Sequence, residues 1–222
     1  AVVRTMLLGA QAVGAQSVTW DGKDDAGAVV AAGTYTFSAA ATLGGTTAMQ
    51  GTLDGVAGTL HLDAGAGANL LMVSDVGSRT GDTGLLTKSL IRGLSAADIT
   101  YAATGGDFAG GITVWTGYGN DTLQVTSTQG VDTVGARTIT SLNTGLGDDR
   151  VTVTLGAASD GFFALNTQGP LAHDDLNPAR TDNDTVDASG STLSLVIFGG
   201  QGKDDITGGS GSDIIFGDRG RV

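Results

Sequence analysis

The stretch GGQGKDDITGGSGSDIIFGDRGRV, residues 199–222, decides the fold. It contains two adjacent nonapeptides, GGQGKDDIT (199–207) and GGSGSDIIF (208–216), which both fit the pattern G-G-x-G-x-D-x-U-x, where U is a large apolar residue. Two contiguous copies in one register indicate a repeat architecture, in which each copy is a turn followed by a very short strand. Glycine allows tight turns and close approach of neighbouring backbones. The pattern therefore predicts a parallel β-roll with Ile206 and Ile215 pointing inward.

The aspartates of these turns point to a hard cation. Carboxylates and turn carbonyl groups supply oxygen ligands, and calcium accepts about 6–8 oxygens in a flexible geometry, whereas magnesium demands a near-ideal octahedron. Because the Gly-rich turns are rich in carbonyl groups, they favour calcium. The expected cofactor is Ca²⁺.

The same segment resembles the RTX (hemolysin-type) calcium-binding repeats of secreted bacterial proteins. In that family each ion lies between same-side turns of neighbouring coils, and the turn Asp and the carbonyl groups of its Gly-x-Gly segment bind it. The resemblance implies Asp204 and Asp213 as carboxylate ligands, with the carbonyl-bearing turns marked by four glycines, Gly200, Gly202, Gly209 and Gly211.

A third copy, GDRGRV (217–222), departs from the pattern. Asp218 stands at the second Gly position, and Val222 stands where the ligand Asp belongs. Since turns of a β-roll alternate sides, the turn at 199–204 would pair with this third copy. We keep Asp218 as a candidate ligand of an incomplete site.

The core G-x-G-x-[DN]-x-U recurs upstream in GAGANLL (65–71), GYGNDTL (117–123) and GLGDDRV (145–151). Each copy lies between alternating apolar stretches, so the repeating unit is strand, Gly-Asp turn, strand. The irregular spacing predicts a β-solenoid with loops or extra strands between the turns. These motifs add Asp121 and Asp149 as candidate metal ligands, although the same turn sequence also suits any Gly-rich β protein.

The segment 160–191 contains both prolines and a cluster of aspartates, and we expect it to be a loop over the solenoid face. Its DNDTVD sequence (182–187) is compatible with a cation-binding turn or with a solvated turn. We expect the solvated turn.

The first 45 residues have a different character. In VTWDGKDDAGAVVAAGTYTFSAAATL (18–43) the large residues alternate, Val18 with Trp20 and Tyr35 with Phe37, which predicts a β-hairpin with one buried face. This stretch resembles the Ig-like module of the flagellar hook-capping protein. The resemblance covers about one hairpin, whereas such a sandwich needs about seven strands, so the module is partial. The resemblance implies no flagellar role, because proteins that share a fold often have unrelated functions.

Composition supports an all-β chain and excludes several function classes. There are 38 Gly and 2 Pro among 222 residues, and all 23 acidic residues are Asp, which favours turns where Glu would favour helices. The absence of Cys excludes disulfides, thiolate metal sites and a Cys nucleophile. A net charge of −12 opposes binding to nucleic acid or anionic membranes, and no apolar run is long enough for membrane insertion.

The sequence offers no catalytic constellation. His61 lies on a predicted strand and His173 in the predicted loop, and no Ser lies in a nucleophile elbow. Adjacent aspartates point to opposite faces of a strand, so the Asp doublets do not predict a carboxylate dyad. We therefore expect no enzyme. The alternative is an accessory part of a β-helix polysaccharide lyase or epimerase, whose basic catalytic cluster is not matched by Lys23, Lys88 or Lys203.

Three regions follow from these patterns: a partial Ig-like hairpin region (1–45), an irregular β-solenoid (46–198) and a truncated calcium β-roll (199–222). We expect a non-catalytic structural or adhesive piece of a large secreted bacterial repeat protein, located outside the cell or on its surface. The RTX resemblance implies export by a type I system and calcium-induced folding after export. The expected partners are calcium ions and a cell-surface glycan or other modules of the parent chain.

Overall fold

The computed structural model describes residues 23–29, 42–43, 46–47, 51–132, 135–168 and 181–217. All regular secondary structure in these residues is β-strand, so the predicted all-β class is confirmed. The described part contains no helix long and apolar enough to cross a membrane. Two short strands, β1 (Thr42–Leu43) and β2 (Thr46–Thr47), form an antiparallel pair, and the other strands form two larger sheets.

Among the described residues, the first large sheet has six strands, all parallel to their neighbours. Their order across the sheet follows the chain: β4 (Gly67–Ser78), β8 (Gly106–Gly117), β10 (Ile139–Gly145), β12 (Phe162–Asn166), β14 (Leu195–Phe198) and β16 (Ile214–Phe216).

The second large sheet has eight strands in the part of the chain that the structure describes. Their order is β3 (Leu60–Asp63), β7 (Ile99–Ala102), β6 (Leu90–Arg92), β5 (Thr83–Leu86), β9 (Thr122–Val125), β11 (Arg150–Val153), β13 (Thr185–Asp187) and β15 (Asp205–Thr207). All pairs are parallel except those of β6, which is antiparallel to β5 and β7.

From β8 onward the chain alternates between the two sheets. Four strands of the six-stranded sheet are each followed by one strand of the eight-stranded sheet: β8, β10, β12 and β14. In this part of the chain, neighbouring strands of each sheet pair in parallel. Parallel strands need a crossover connection, often a helix, and here a strand of the opposite sheet serves as that crossover. The strands β15 and β16, which carry the two nonapeptides, are added to the same two sheets.

The core lies between the sheets and is built from inward-facing aliphatic residues in register. In the six-stranded sheet, Val114, Leu142, Leu165 and Ile197 follow one another across β8, β10, β12 and β14, and none is more than 2% exposed. Side chains alternate faces along a strand, so their chain neighbours point outward. Burial of each such side chain contributes about 1.5–3 kcal/mol.

The two predicted inward residues of the nonapeptides differ in burial. Ile206 packs against the core, and Ile215 pairs with the fully buried Ile197. Ile215 nevertheless remains 43% exposed, because β16 is the last strand of the six-stranded sheet in the described residues.

The expected loop at 160–191 is shorter than predicted. The structure places β12 and β13 inside this segment. In β12 the side chains of Phe163 and Leu165 are buried while Phe162 is exposed, an alternation that the nearby prolines and aspartates obscured. Residues 169–180 lie outside the described residues.

Most of the predicted N-terminal hairpin also lies outside the described residues. The part that is described, 23–29, is a tight turn closed by an antiparallel bridge between Lys23 and Val29. The Asp24 carboxylate accepts hydrogen bonds from the N–H groups of Ala26 (2.9 Å) and Ala28 (2.8 Å). Asp stabilises turns in this way by bonding to the backbone that follows it.

Candidate cation-binding site

Three of the predicted Gly-Asp turns, those at 117–121, 145–149 and 200–204, lie at one junction between the two large sheets. Gly117 ends β8 and Asp121 precedes β9, and in the next repeat Gly145 ends β10 and Asp149 precedes β11. Asp204 precedes β15 in the same way. Because consecutive repeats pair in parallel, these aspartates follow one another along the junction. We call this series the Asp column: Asp82, Asp121, Asp149, Asp184 and Asp204.

Hydrogen bonds join each member of the Asp column to the next. The backbone N–H of one Asp donates to the carboxylate Oδ1 of the Asp in the following repeat. The N···O distances are 2.8 Å from Asp82 to Asp121, 2.8 Å from Asp121 to Asp149, 2.8 Å from Asp149 to Asp184 and 3.1 Å from Asp184 to Asp204. These bonds pair turn amides that would otherwise be buried without an acceptor, which is a costly state.

A second series of hydrogen bonds runs beside the column in the opposite direction. The N–H of Asp148 donates to Asn120 Oδ1 (3.1 Å), that of Asn183 to Asp148 Oδ1 (2.8 Å), and that of Lys203 to Asn183 Oδ1 (2.8 Å). The side chains of two successive residues therefore hold each turn to both of its neighbours. Carboxylates placed by such bonds keep a fixed register along the junction.

The column is deeply buried in its middle. Asp121, Asp149 and Asp184 are 1%, 2% and 1% exposed. The second oxygen of Asp121 accepts a hydrogen bond from the Thr116 hydroxyl. The Oδ2 atoms of Asp149 and Asp184 are buried without a hydrogen bond of good geometry, and the nearby hydroxyl groups of Thr144 and Thr167 only partly offset the rise in their pKa. A buried carboxylate oxygen without a donor carries uncompensated negative charge.

Burial raises the pKa of each of these carboxyl groups. Desolvation is the main cause, and neighbouring carboxylates add to it, so the pKa reaches about 6 for Asp121, about 7 for Asp149 and about 8 for Asp184. Near neutral pH the column must therefore take up protons or a cation. Oxygen atoms are the ligands that calcium and magnesium prefer.

The four predicted turn glycines are required for two different reasons. Gly200 and Gly202 have φ values of +87° and +104°, which L side chains rarely adopt. Gly209 and Gly211 do not have positive φ, but they approach neighbouring backbone closely. A Cβ atom on Gly211 would lie 2.5 Å from the carbonyl oxygen of Leu193.

The two predicted carboxylate ligands of the nonapeptides lie at opposite junctions. Asp204 precedes β15, whereas Asp213 precedes β16, where the chain returns to the six-stranded sheet. Both oxygens of Asp213 accept backbone hydrogen bonds, Oδ1 from Leu195 (2.9 Å) and Oδ2 from Gly209 (2.8 Å). Asp218 lies outside the described residues.

Sequence reasoning missed Asp184, and its neighbour Asp182, as members of this site. The DNDTVD segment was expected to be solvated, yet Asp182 and Asp184 are 8% and 1% exposed. Asp182 takes the place of the second Gly of the motif, and its Oδ1 accepts from the N–H of Gly147 (2.9 Å). A shorter motif, [ND]-D-x-U with U an apolar residue, would have identified Asp184. That motif occurs as NDTL (120–123), DDRV (148–151), NDTV (183–186) and, with Lys in first position, KDDI (203–206).

Carboxylates alone do not complete a metal site here. Within the described residues, no group of three or more Asp or His side chains is arranged to hold a metal ion. A cation at the Asp column would therefore need carbonyl oxygens and water in addition to carboxylates.

Comparison with known proteins adds one similarity. The family model described as FlgD Ig-like domain matches residues 1–45, about a fifth of the chain. This match supports the Ig-like interpretation of that segment. No curated protein and no solved structure matches the chain. Fold and site thus define an all-β protein with parallel sheets and a buried carboxylate column.

Proposed function

We propose that the two large sheets and their connecting turns form a parallel β-solenoid that binds calcium and ends in a β-roll of the RTX type. The alternation of strands between two parallel sheets supports the solenoid. The stacking of successive Gly-Asp turns at one junction supports the calcium sites. The proposed ligands are the carboxylates of the predicted residues Asp121, Asp149, Asp204, Asp213 and Asp218, and of Asp184, together with turn carbonyl groups.

The single observation that carries this proposal is the pair of unpartnered carboxylate oxygens on Asp149 and Asp184. Each residue is at least 98% buried, so water does not compensate its charge. Buried charges are normally paired or coordinated to metals. The hydrogen bonds along the Asp column already occupy Oδ1 of both residues, which leaves Oδ2 for a cation. Calcium suits this position because it tolerates irregular sets of oxygen ligands.

Calcium binding would act on folding. Ions that bind only the ordered turns contribute their binding free energy to folding. Without them, carboxylate repulsion opposes the ordering of a chain that loses about 1–2 kcal/mol of backbone entropy per residue. A module with this property is less stable at the low calcium concentration inside a cell and gains stability outside it. We propose such a secreted, non-catalytic role, structural or adhesive, within a larger bacterial protein exported by a type I system.

The test is thermal unfolding of the full 222-residue chain, followed by circular dichroism, in chelator and in increasing calcium. We expect the Tm to rise and to saturate with an affinity of about 0.1–1 mM, the range of extracellular calcium modules. At one hundred times the dissociation constant, one site adds about 2.7 kcal/mol to the free energy of unfolding.

The matched variants are Asp149→Asn with Asp184→Asn, which removes the two buried carboxylates that carry this proposal, and Asp187→Asn, which removes an exposed one. The double variant should lose most of the calcium-dependent rise, and the exposed control should keep it. A wild-type Tm that does not respond to calcium up to about 10 mM, well above that range, would contradict the proposal.

A further inference from the structure

A second carboxylate site lies at the start of the Asp column, outside the Gly-Asp motifs. Asp75 lies in β4 and Asp82 lies between β4 and β5. Their carboxyl groups are within hydrogen-bonding range of each other, and Asp54 is close enough to act on both electrostatically. None of the three belongs to a G-x-G-x-D sequence.

The two carboxyl groups face each other without a donor between them. Asp75 is completely buried, at 0% exposure. Its Oδ1 accepts a hydrogen bond from the N–H of Leu53 (2.5 Å), but its Oδ2 meets no donor, and neither does Oδ2 of Asp82. An ionised carboxylate is only an acceptor, so two of them in contact repel each other.

Within the part of the chain that the structure describes, no basic side chain acts on either carboxyl group. The basic residue closest in sequence is Arg79, and its guanidinium lies over the ring of Tyr118, 5.6 Å from the centroid. Because Asp75 is fully buried and neither Oδ2 atom has a hydrogen-bond partner, the contact between the two carboxyl groups needs a shared proton or a cation.

We propose that Asp75 and Asp82 hold a divalent cation through their Oδ2 atoms. Its chemistry is that of calcium or magnesium, since every donor is oxygen. Backbone carbonyl oxygens and water complete its coordination, because no third carboxylate of the described residues converges there. The ion keeps Asp75 ionised, and an ionised Asp75 is the better acceptor for the Leu53 N–H. It thus clamps segment 51–57 onto β4.

The site is independent of the ligands in the proposed function, and one variant isolates it. Asp82→Asn keeps the backbone N–H that donates to Asp121 Oδ1, so the hydrogen bonds along the Asp column remain. It also places an amide donor opposite Asp75 Oδ2. In chelator the variant should therefore have a higher Tm than the wild type, whereas a merely structural acid would give no such gain.

The decisive measurement is the number of ions bound per chain, by equilibrium dialysis of the full chain with radiolabelled calcium and, separately, with magnesium. Asp82→Asn should bind one ion fewer than the wild type, and the exposed control Asp187→Asn should bind the same number. If Asp82→Asn folds poorly, Asp75→Asn replaces it, since its Oδ1 still accepts from Leu53.

The double variant Asp149→Asn with Asp184→Asn separates the two proposals. It should keep the ion at Asp75 and Asp82 even if it loses those of the Gly-Asp turns. Equal ion numbers for Asp82→Asn and wild type would overturn the present proposal, and so would a wild type that binds neither metal. In either case the pair shares a proton instead.

Discussion

Asp148 and Asp149 are neighbours in the chain but have different roles at the junction. Asp149 is buried, and its Oδ1 accepts from the N–H of the preceding column residue, Asp121. Asp148 is partly exposed, and its Oδ1 accepts from the N–H of Asn183 in the following repeat. The doublet therefore holds its turn to both neighbours, as opposite orientation of adjacent side chains allows.

This division of roles predicts different effects for two substitutions at Asp149. Asp149→Asn keeps an Oδ1 acceptor for the Asp121 N–H and removes a buried charge, so in chelator it should leave stability unchanged or raise it. Asp149→Ala leaves that N–H unsatisfied, which costs about 1–3 kcal/mol. Urea unfolding in chelator measures both. Equal losses for the two variants would show that the hydrogen bond to Oδ1 contributes nothing.

A second residue-scale prediction concerns pH. Asp63 is exposed, and hydrogen bonds from the backbone and hydroxyl of Thr104 and then from the Gly65 N–H lower its pKa below 3.8. A lowered folded-state pKa means stability that is present above the unfolded pKa and lost as pH falls through the folded one. The Asp63 carboxyl should thus titrate below 3.8 by NMR. The wild type should therefore lose more free energy of unfolding between pH 6 and pH 3 than Asp63→Asn does. Denaturation of both proteins at the two pH values measures this difference.

At the scale of single elements, the strands are predictable where apolar residues alternate beside Gly-Asp turns. β9 and β11 follow such turns directly, and their inward residues Leu123 and Val151 are buried. β12 and β13 were missed because the Gly pair of their turn is absent: Gln168 and Asp182 stand where the glycines would, and residues 169–180 separate them. Alternation persists in the strands even where the turn chemistry changes.

The missed strand β12 supplies a packing prediction. Leu165 is 0% exposed between Leu142 and Ile197, whereas Phe162 in the same strand is 55% exposed. Leu165→Ala should destabilise the protein by about 2–5 kcal/mol, the usual cost of such a core truncation. Phe162→Ala is the control and should cost far less, although Arg137 lies over its ring. If urea unfolding shows the larger loss for Phe162→Ala, this strand faces the other way.

At the scale of the whole molecule, composition was sufficient to predict an all-β chain, because a Gly-rich sequence without Glu favours turns and strands over helices. The extra strand β6, which lies between β5 and β7 and is antiparallel to both, was not predictable, because no turn motif separates it from them. Long-range pairing was equally inaccessible: Asp149 accepts from Asp121, 28 residues earlier, and Asp184 from Asp149, 35 residues earlier. This register depends on which turns become neighbours in the fold, and the local sequence does not encode that choice.

Stacked repeats that touch only their neighbours can unfold together or fray from one end. Here each pair of turns at the Asp column shares side-chain hydrogen bonds in both directions, besides the parallel pairing of the strands. We therefore predict that the amides of Asp121, Asp149 and Asp184 exchange with solvent only through global unfolding. Native-state hydrogen exchange in increasing urea should give them one common opening free energy, equal to that of the core amide of Val151. The exposed turn amide of Ala28 is the control and should exchange much faster. Opening free energies that fall steadily from Asp121 to Asp184 would show instead that the stack frays from the end of higher residue number.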